Sequence, residues 1–334
     1  PLWRIDIIPC KDSKAWGAVV MRMNHAMADG LRLVKAASKF ATFEDGSPVE
    51  LELLKKMSMK KLSAAKDQAS SVNLFSFGLS FLKDFFTAAT LDKMCAEDRT
   101  CFHEPDTLFR NGPRLNCTTS VEFAKIKKIK DSAVKGTTIN DVVLAAFCGA
   151  ARRYSLAVTG SPLPSNTLMR AFCAVSLPDA HDRAADDLYN DFIMPSMRLP
   201  VGADSPQQRL TEAHAVMADL KQSKVGWIIA QLSSVLARLG LDGLAGDTQQ
   251  RLFGKHSFVY SNVPGYQKPA YLFGPPHKIE RFATYYPNMI SQLLFLSYCD
   301  QLTMSLSTDV DVVKKPKVLL ECFVSEVNEW AAQC

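Results

Sequence analysis

Residues 15–30 read AWGAVVMRMNHAMADG. From Ala15 to Met23 the stretch is apolar but for Arg22, and it suits a buried strand. It breaks at Asn24-His25-Ala26-Met27-Ala28-Asp29-Gly30, and helical periodicity follows from Leu31 to Phe40. His25 therefore sits where a strand stops, a place from which a rigid sheet can hold a group toward a cleft. Imidazole can take a proton near neutral pH and so serve as a general base. Asp29 can hydrogen-bond the loop or pair with a basic side chain, and Gly30 permits a backbone angle that other residues resist. The same spacing also suits a buried, hydrogen-bonded His beside an Asp that caps the next helix. A motif this short does not choose between the two.

Upstream, Leu2 to Ile8 alternates Leu2, Arg4, Asp6 and Ile8 with Trp3, Ile5 and Ile7, which predicts a strand, the hairpin partner of the second. Downstream, Glu50 to Ala69 reads as a basic helix. Leu74 to Met94 reads as an amphipathic one, with Phe81 and Phe85 on one face and Ser80 and Lys83 on the other. Such a pair can lie on a membrane surface, or the second helix can pack on its own domain. Residues 101–116 read as a crossover between lobes. A strand is expected at Asn116–Phe123 and a helix at Ala124–Val134. Thr138 opens the next helix, with Asp141 three residues on in a capping-box pattern. Asp141 thus reads as a helix initiator, and Asn140 can additionally face a cleft. Strands are expected at Thr167–Leu177, Asn190–Leu199, His256–Asn262, Ser291–Cys299 and Leu302–Ser307. Helices are expected at Ser205–Lys224, Trp227–Leu239 and Pro316–Trp330. His103, His181, His214, His256 and His277 have no partner at useful spacing and read as surface or structural.

The chain of 334 residues suits two domains with a substantial core. A net charge of +5 does not suggest nucleic acid, and it is compatible with an anionic ligand or an anionic membrane surface. The nine cysteines are scattered with no metal-ligand spacing, which argues for a reducing compartment and buried thiols. No apolar run reads as long and uncharged enough to span a bilayer. P-loop, dinucleotide and G-x-S-x-G signatures are absent, so an activated serine nucleophile is not indicated. The first residues, PLWRIDIIP, already read as a strand, with neither signal peptide nor initiator Met. This reads as a piece lacking part of its first lobe.

The motif NHAMADG resembles the HHxxxDG signature of the wax ester synthase/diacylglycerol acyltransferase family, a branch of the CoA-dependent acyltransferases with an HxxxD motif. Pro1-Leu2-Trp3 is similar to that family's PLW segment, Thr138–Ala145 to its NDVVLA segment and Ser261-Asn262-Val263-Pro264-Gly265 to its SNVPG segment. Asn111-Gly112-Pro113 matches a weaker turn, and Tyr189-Asn190 stands where the family has a Gly-Asn pair. The segments occur in the family's order and span most of the chain. One departure is that the family's first His is Asn24 here.

The resemblance implies an α/β fold with mixed sheets in two chloramphenicol acetyltransferase-like lobes. These would be a truncated first lobe, residues 1–112, and a second lobe, residues 113–334. It implies transfer of a long-chain acyl group from acyl-CoA to a fatty alcohol or diacylglycerol, giving wax esters or triacylglycerol. His25 would be the base and Asp29 would shape its loop. Asn24, Gly30, Asn140, Asp141 and Asn262 would shape the site or supply oxyanion donors. No cofactor or metal is expected, since CoA arrives as part of the substrate. The expected location is peripheral, on the cytoplasmic side of the endoplasmic reticulum or plasma membrane, or on a lipid droplet. The alternatives are a non-catalytic lipid-binding relic and a condensation-type acyltransferase fed by a carrier protein.

Overall fold

The computed structural model describes residues 1–10, 17–49, 97–103, 114–176, 190, 192–223, 225–240, 251–286 and 290–334. The helices expected at Glu50–Ala69 and Leu74–Met94, the Asn111-Gly112-Pro113 turn, His181 and Tyr189 lie outside the described residues. The chain forms two compact units, one of residues 1–71, 176–192 and 266–281, the other of residues 72–175, 193–265 and 282–334.

In the first unit, β1 (Trp3–Pro9) and β2 (Gly17–Met23) form an antiparallel ribbon, with Trp3 opposite Met23 and Pro9 opposite Gly17. Residues paired across an antiparallel ladder share a face. One face therefore carries Trp3, Ile5 and Ile7 with Met23, Met21 and Val19. The other carries Asp6, which holds Arg4 at 2.7 Å and Arg22 at 3.0 Å. The strand expected to be buried, β2, is largely exposed, with Val19 40% accessible, and among the described residues no third strand joins the ribbon. Helix α1 (Gly30–Ser38) follows, then β3 (Ala41–Thr42), which pairs with β10 (Tyr271–Leu272).

The second unit is built on a mixed six-stranded sheet. Its order is β4 (Arg114–Glu122), β12 (Gln301–Asp309), β11 (Ser291–Tyr298), β9 (Phe258–Pro264), β5 (Met169–Cys173) and β8 (Ser196–Leu199). The β11–β9 and β9–β5 ladders are parallel, and the other three are antiparallel. Helices α2 (Phe123–Ser132), α3 (Ile139–Thr159), α4 (Pro206–Gln222) and α6 (Pro316–Gln333) pack with it, and α5 (Val225–Arg238) lies between α4 and β9 in sequence. Strand alternation sends Leu302, Met304 and Leu306 of β12 into the core beside Phe295, Phe323 and Phe147. The opposite side of β12 is polar yet buried, and its hydroxyls are tied, as Thr303 with Ser120 at 3.1 Å and Ser307 to Asn116 at 2.6 Å. Burial without such bonds would cost stability.

Two expected strands end differently. The stretch Asn190–Leu199 is split into β7 (Phe192–Ile193), which pairs with β6 (Val175–Ser176), and β8. The break falls at Met194-Pro195, and Pro195 has no N–H for a ladder. The strand expected at His256–Asn262 runs on past its expected end. Ser261 to Pro264 continue β9, in register with β11 up to Pro264 opposite Ser297. Gly265 closes it with its N–H on the Ser297 hydroxyl at 3.1 Å. A Cβ at 265 would collide with the Ser297 carbonyl oxygen, so only glycine fits this approach.

Helix α3 is the centre of the core. Among the described residues it alone has the length and apolar composition to cross a bilayer, and most of it is buried inside the second unit, as a core helix is. It packs against α4 and α6 through Gly149, over which the buried ion pair of Arg209 and Glu326 lies. Arg153 adds 2.6 Å to Glu326 and a two-pronged contact to Glu329 at 2.7 and 2.9 Å.

Candidate functional site

His25 stands in a β-turn at the end of β2. The Met27 N–H donates to the Asn24 carbonyl at 3.0 Å, so Asn24 to Met27 are the four turn residues and His25 is the second. Asn is favoured at the first position because its side chain can copy the turn, and here the Ala26 N–H donates to Asn24 Oδ1 at 2.9 Å. Asn24 also continues the ribbon, its N–H donating to the Leu2 carbonyl at 2.7 Å. The residue that departs from the family pattern thus shapes the turn.

Asp29 is buried and is the N-cap of α1, Oδ1 accepting from the Arg32 N–H at 3.1 Å. Gly30 is the first residue of that helix. The unusual backbone angle expected of it is absent, and a Cβ there would meet no atom within 4 Å. The His25 imidazole is half-buried, its centroid 5.6 Å from that of Phe192 in an edge-on contact. Asn190 Nδ2 donates to the His25 carbonyl at 2.8 Å and to that of Ala26 at 3.3 Å.

The second unit brings two distant motifs together. Asn262 Nδ2 of β9 donates to Asn140 Oδ1 at the start of α3, 2.7 Å away across 122 residues of sequence. Asp141 completes the capping box, its Oδ2 accepting from the Thr138 N–H at 2.8 Å while its own N–H donates to the Thr138 hydroxyl at 3.3 Å. The helix-initiation reading of Asp141 therefore holds. His214 Nδ1 on α4 also reaches Asp141 Oδ2, at 2.8 Å.

Histidines expected to lack partners have them. His103 Nδ1 is 3.2 Å from the buried Glu97 carboxylate. His256 Nδ1 lies 2.6 Å from the Leu252 carbonyl and Nε2 2.8 Å from Ser196 Oγ. A carbonyl only accepts, so Nδ1 carries the proton and Ser196 donates to Nε2. The ring stacks on Phe172 with centroids 3.7 Å apart. Burial, followed by the Arg170 and His103 charges, pushes His256 down to about 4, opposed by its bond to Leu252. The pair looks like a nucleophile and base, but so weak a base, oriented by a carbonyl instead of a carboxylate, does not activate a serine.

The shift fixes a pH dependence. The unfolded histidine binds a proton from about pH 6.5 downward, while the folded one resists until about 4. Stability is therefore full above pH 6.5 and falls as pH drops to about 4, by about 3 kcal/mol from this group. The thermal midpoint should fall across that window, and His256→Phe should flatten the slope; an unchanged slope would contradict the assignment.

Residues 189–330 match the family model described as the WS/DGAT C-terminal domain. A Mycobacterium tuberculosis protein assigned as a diacylglycerol O-acyltransferase is 26% identical over 99% of this chain and 73% of its own length. The wax ester synthase/diacylglycerol acyltransferase 8 of Arabidopsis thaliana is 25% identical over 95% of this chain and 71% of its own. Among solved structures, the wax ester synthase/diacylglycerol acyltransferase of Marinobacter aquaeolei VT8 matches all of this chain and 71% of its own with a TM-score of 0.60 at 20% identity. A condensation domain of the calcium-dependent antibiotic synthetase matches 94% of this chain and 64% of its own, with a TM-score of 0.55 at 14% identity. The fold is thus the two-lobed acyltransferase and condensation fold. With His25 and Asp29 in the HxxxD spacing, and the NDVVLA and SNVPG motifs joined through Asn140 and Asn262, the chain is similar to the wax ester synthase/diacylglycerol acyltransferases along its length and matches that family's C-terminal domain at residues 189–330.

Proposed function

We propose that the protein transfers a long-chain acyl group from acyl-CoA to a lipid alcohol, a fatty alcohol or a diacylglycerol. The observation that carries this is the His25 turn. A basic side chain stands on a turn fixed by Asn24 and Asn190 and followed by a helix capped by Asp29. His25 takes the hydroxyl proton as the acceptor oxygen attacks the thioester carbonyl. The C–S bond then breaks and the proton passes to the CoA sulfur, so ester and free CoA are the products. Asp29 holds the start of α1 and does not touch substrate. Asn24 is the donor proposed for the oxyanion. CoA enters as part of the donor, and no metal takes part in the steps assigned.

Direct transfer is favoured over an acyl-enzyme. Burial pushes the Cys101, Cys117, Cys148, Cys173 and Cys322 thiols up, away from the reactive thiolate. The apolar residues of β2 beside the turn, Val19, Met21 and Met23, suit lipid chains better than sugars. Peripheral attachment to membranes or lipid droplets belongs to this reading, as expected from the Leu74–Met94 stretch.

The test is an acceptor panel with palmitoyl-CoA as donor: hexadecanol, diolein, a sugar and an amino acid. The expected products are hexadecyl palmitate, triacylglycerol or both. No transfer to either lipid alcohol, with transfer from a carrier-bound acyl group instead, would replace this reading by the condensation-type one.

A further inference from the structure

We infer that Asn190 is a positioning residue for His25, acting through the carbonyls of the turn that carries it; this rests on His25 being the base proposed above. In a β-turn only the first carbonyl accepts the closing hydrogen bond, here that of Asn24 from Met27. The second and third, those of His25 and Ala26, point away from the turn and need other donors. Asn190 supplies both from one nitrogen, at 2.8 and 3.3 Å, from a position 165 residues away in sequence. Because carbonyls cannot donate, the amide face toward them is the NH₂.

Two further contacts complete the arrangement. Phe192, two residues beyond Asn190, meets the edge of the His25 ring. Asn24 Oδ1 holds the Ala26 N–H on the other side of the same peptide plane. One short segment thus fixes both the backbone under His25 and the direction of its ring. None of these bonds uses the imidazole nitrogens, so the arrangement sets where the base stands. A misplacement of 1 Å at such a group can cost on the order of 10²-fold in rate.

The experiment is steady-state kinetics of the full chain with palmitoyl-CoA and hexadecanol or diolein. The proteins are wild type, Asn190→Asp, Asn190→Ser, His25→Ala and the His25→Ala/Asn190→Asp double variant. Asn190→Asp keeps the shape but turns the donor into a carboxylate facing two carbonyl oxygens. Its kcat should fall about 10- to 100-fold, with KM for palmitoyl-CoA within about two-fold of wild type and an unchanged melting temperature. Asn190→Ser keeps a donor and should recover part of the rate. In the double variant the Asn190 change should add nothing to the loss from His25→Ala, since it acts only through that side chain. Wild-type turnover by Asn190→Asp, with His25→Ala inactive, would overturn the inference and leave the base in place. Losses that simply add in the double variant would overturn it too. Full activity of His25→Ala would instead remove the base reading on which it rests.

Discussion

His25→Ala in the full chain should lose about 10²- to 10⁴-fold in turnover, the range that a positioned general base supplies, while its melting temperature stays close to that of wild type. The fold should survive because the turn is closed by backbone and Asn side-chain bonds, Met27 to Asn24, Ala26 to Asn24 and Asn190 to the His25 carbonyl. Alanine preserves all of these. What it removes is the half-buried ring and its edge contact with Phe192. Turnover near that of wild type, measured as free CoA released in the presence of alcohol, would sink the mechanism. An activity loss matched by a large fall in melting temperature would make His25 structural.

The largest effect on stability is expected at Gly149→Ala. Helix propensity alone favours alanine at an interior helical position by about 1 kcal/mol. The packing opposes it. The new Cβ would occupy the place of the Glu326 carboxylate and press on the Arg209 guanidinium. A free surface glutamate would swing aside at little cost. This one is 3% accessible and held by Arg209 and by Arg153 at 2.6 Å, while Arg209 also donates to the Ala203 and Asp204 carbonyls at 3.1 and 2.9 Å. Moving the carboxylate leaves a buried cation without its counter-charge, which typically costs about 3–5 kcal/mol. The collision therefore wins, and denaturant unfolding should show a net loss of about 2–4 kcal/mol once propensity is subtracted. A variant as stable as wild type would mean that the α3–α6 contact gives way more easily than its ion pairs imply.

The elements with a regular pattern were legible from residues alone. Alternation in Leu2–Ile8, the Thr138 and Asp141 capping pair and the Ser205-Pro206 start of α4 each correspond to the observed strand or cap. Local chemistry sets these features, so local reading finds them. Two expected strand ends fall elsewhere. Asn190–Leu199 was read through Pro195, whose missing N–H breaks the ladder. The SNVPG stretch carries turn residues, yet pairing with β11 holds it extended through Pro264.

The site was legible in part. The HxxxD spacing pointed to His25 and Asp29, and the structure gives Asp29 the capping role that the spacing allowed. Asn190 was noted only by its resemblance, because its hydrogen bonds to the His25 turn span 165 residues and leave no local pattern. The same is true of His214 with Asp141 and of His256 with Ser196, pairs 73 and 60 residues apart. His103 and Glu97 are closer, six residues apart, but no helix or strand period links them, so spacing gave no signal.

The central claim is direct transfer from acyl-CoA to a lipid alcohol, and the release of free CoA tests it most directly. Palmitoyl-CoA is mixed rapidly with enzyme, first without and then with hexadecanol or diolein, and CoA and ester are followed together. The account predicts no CoA release before alcohol is added, one ester formed per CoA afterwards, and initial-rate lines that intersect when both substrates are varied. A burst of one CoA per enzyme before any alcohol, with parallel lines, would contradict it by showing an acyl-enzyme.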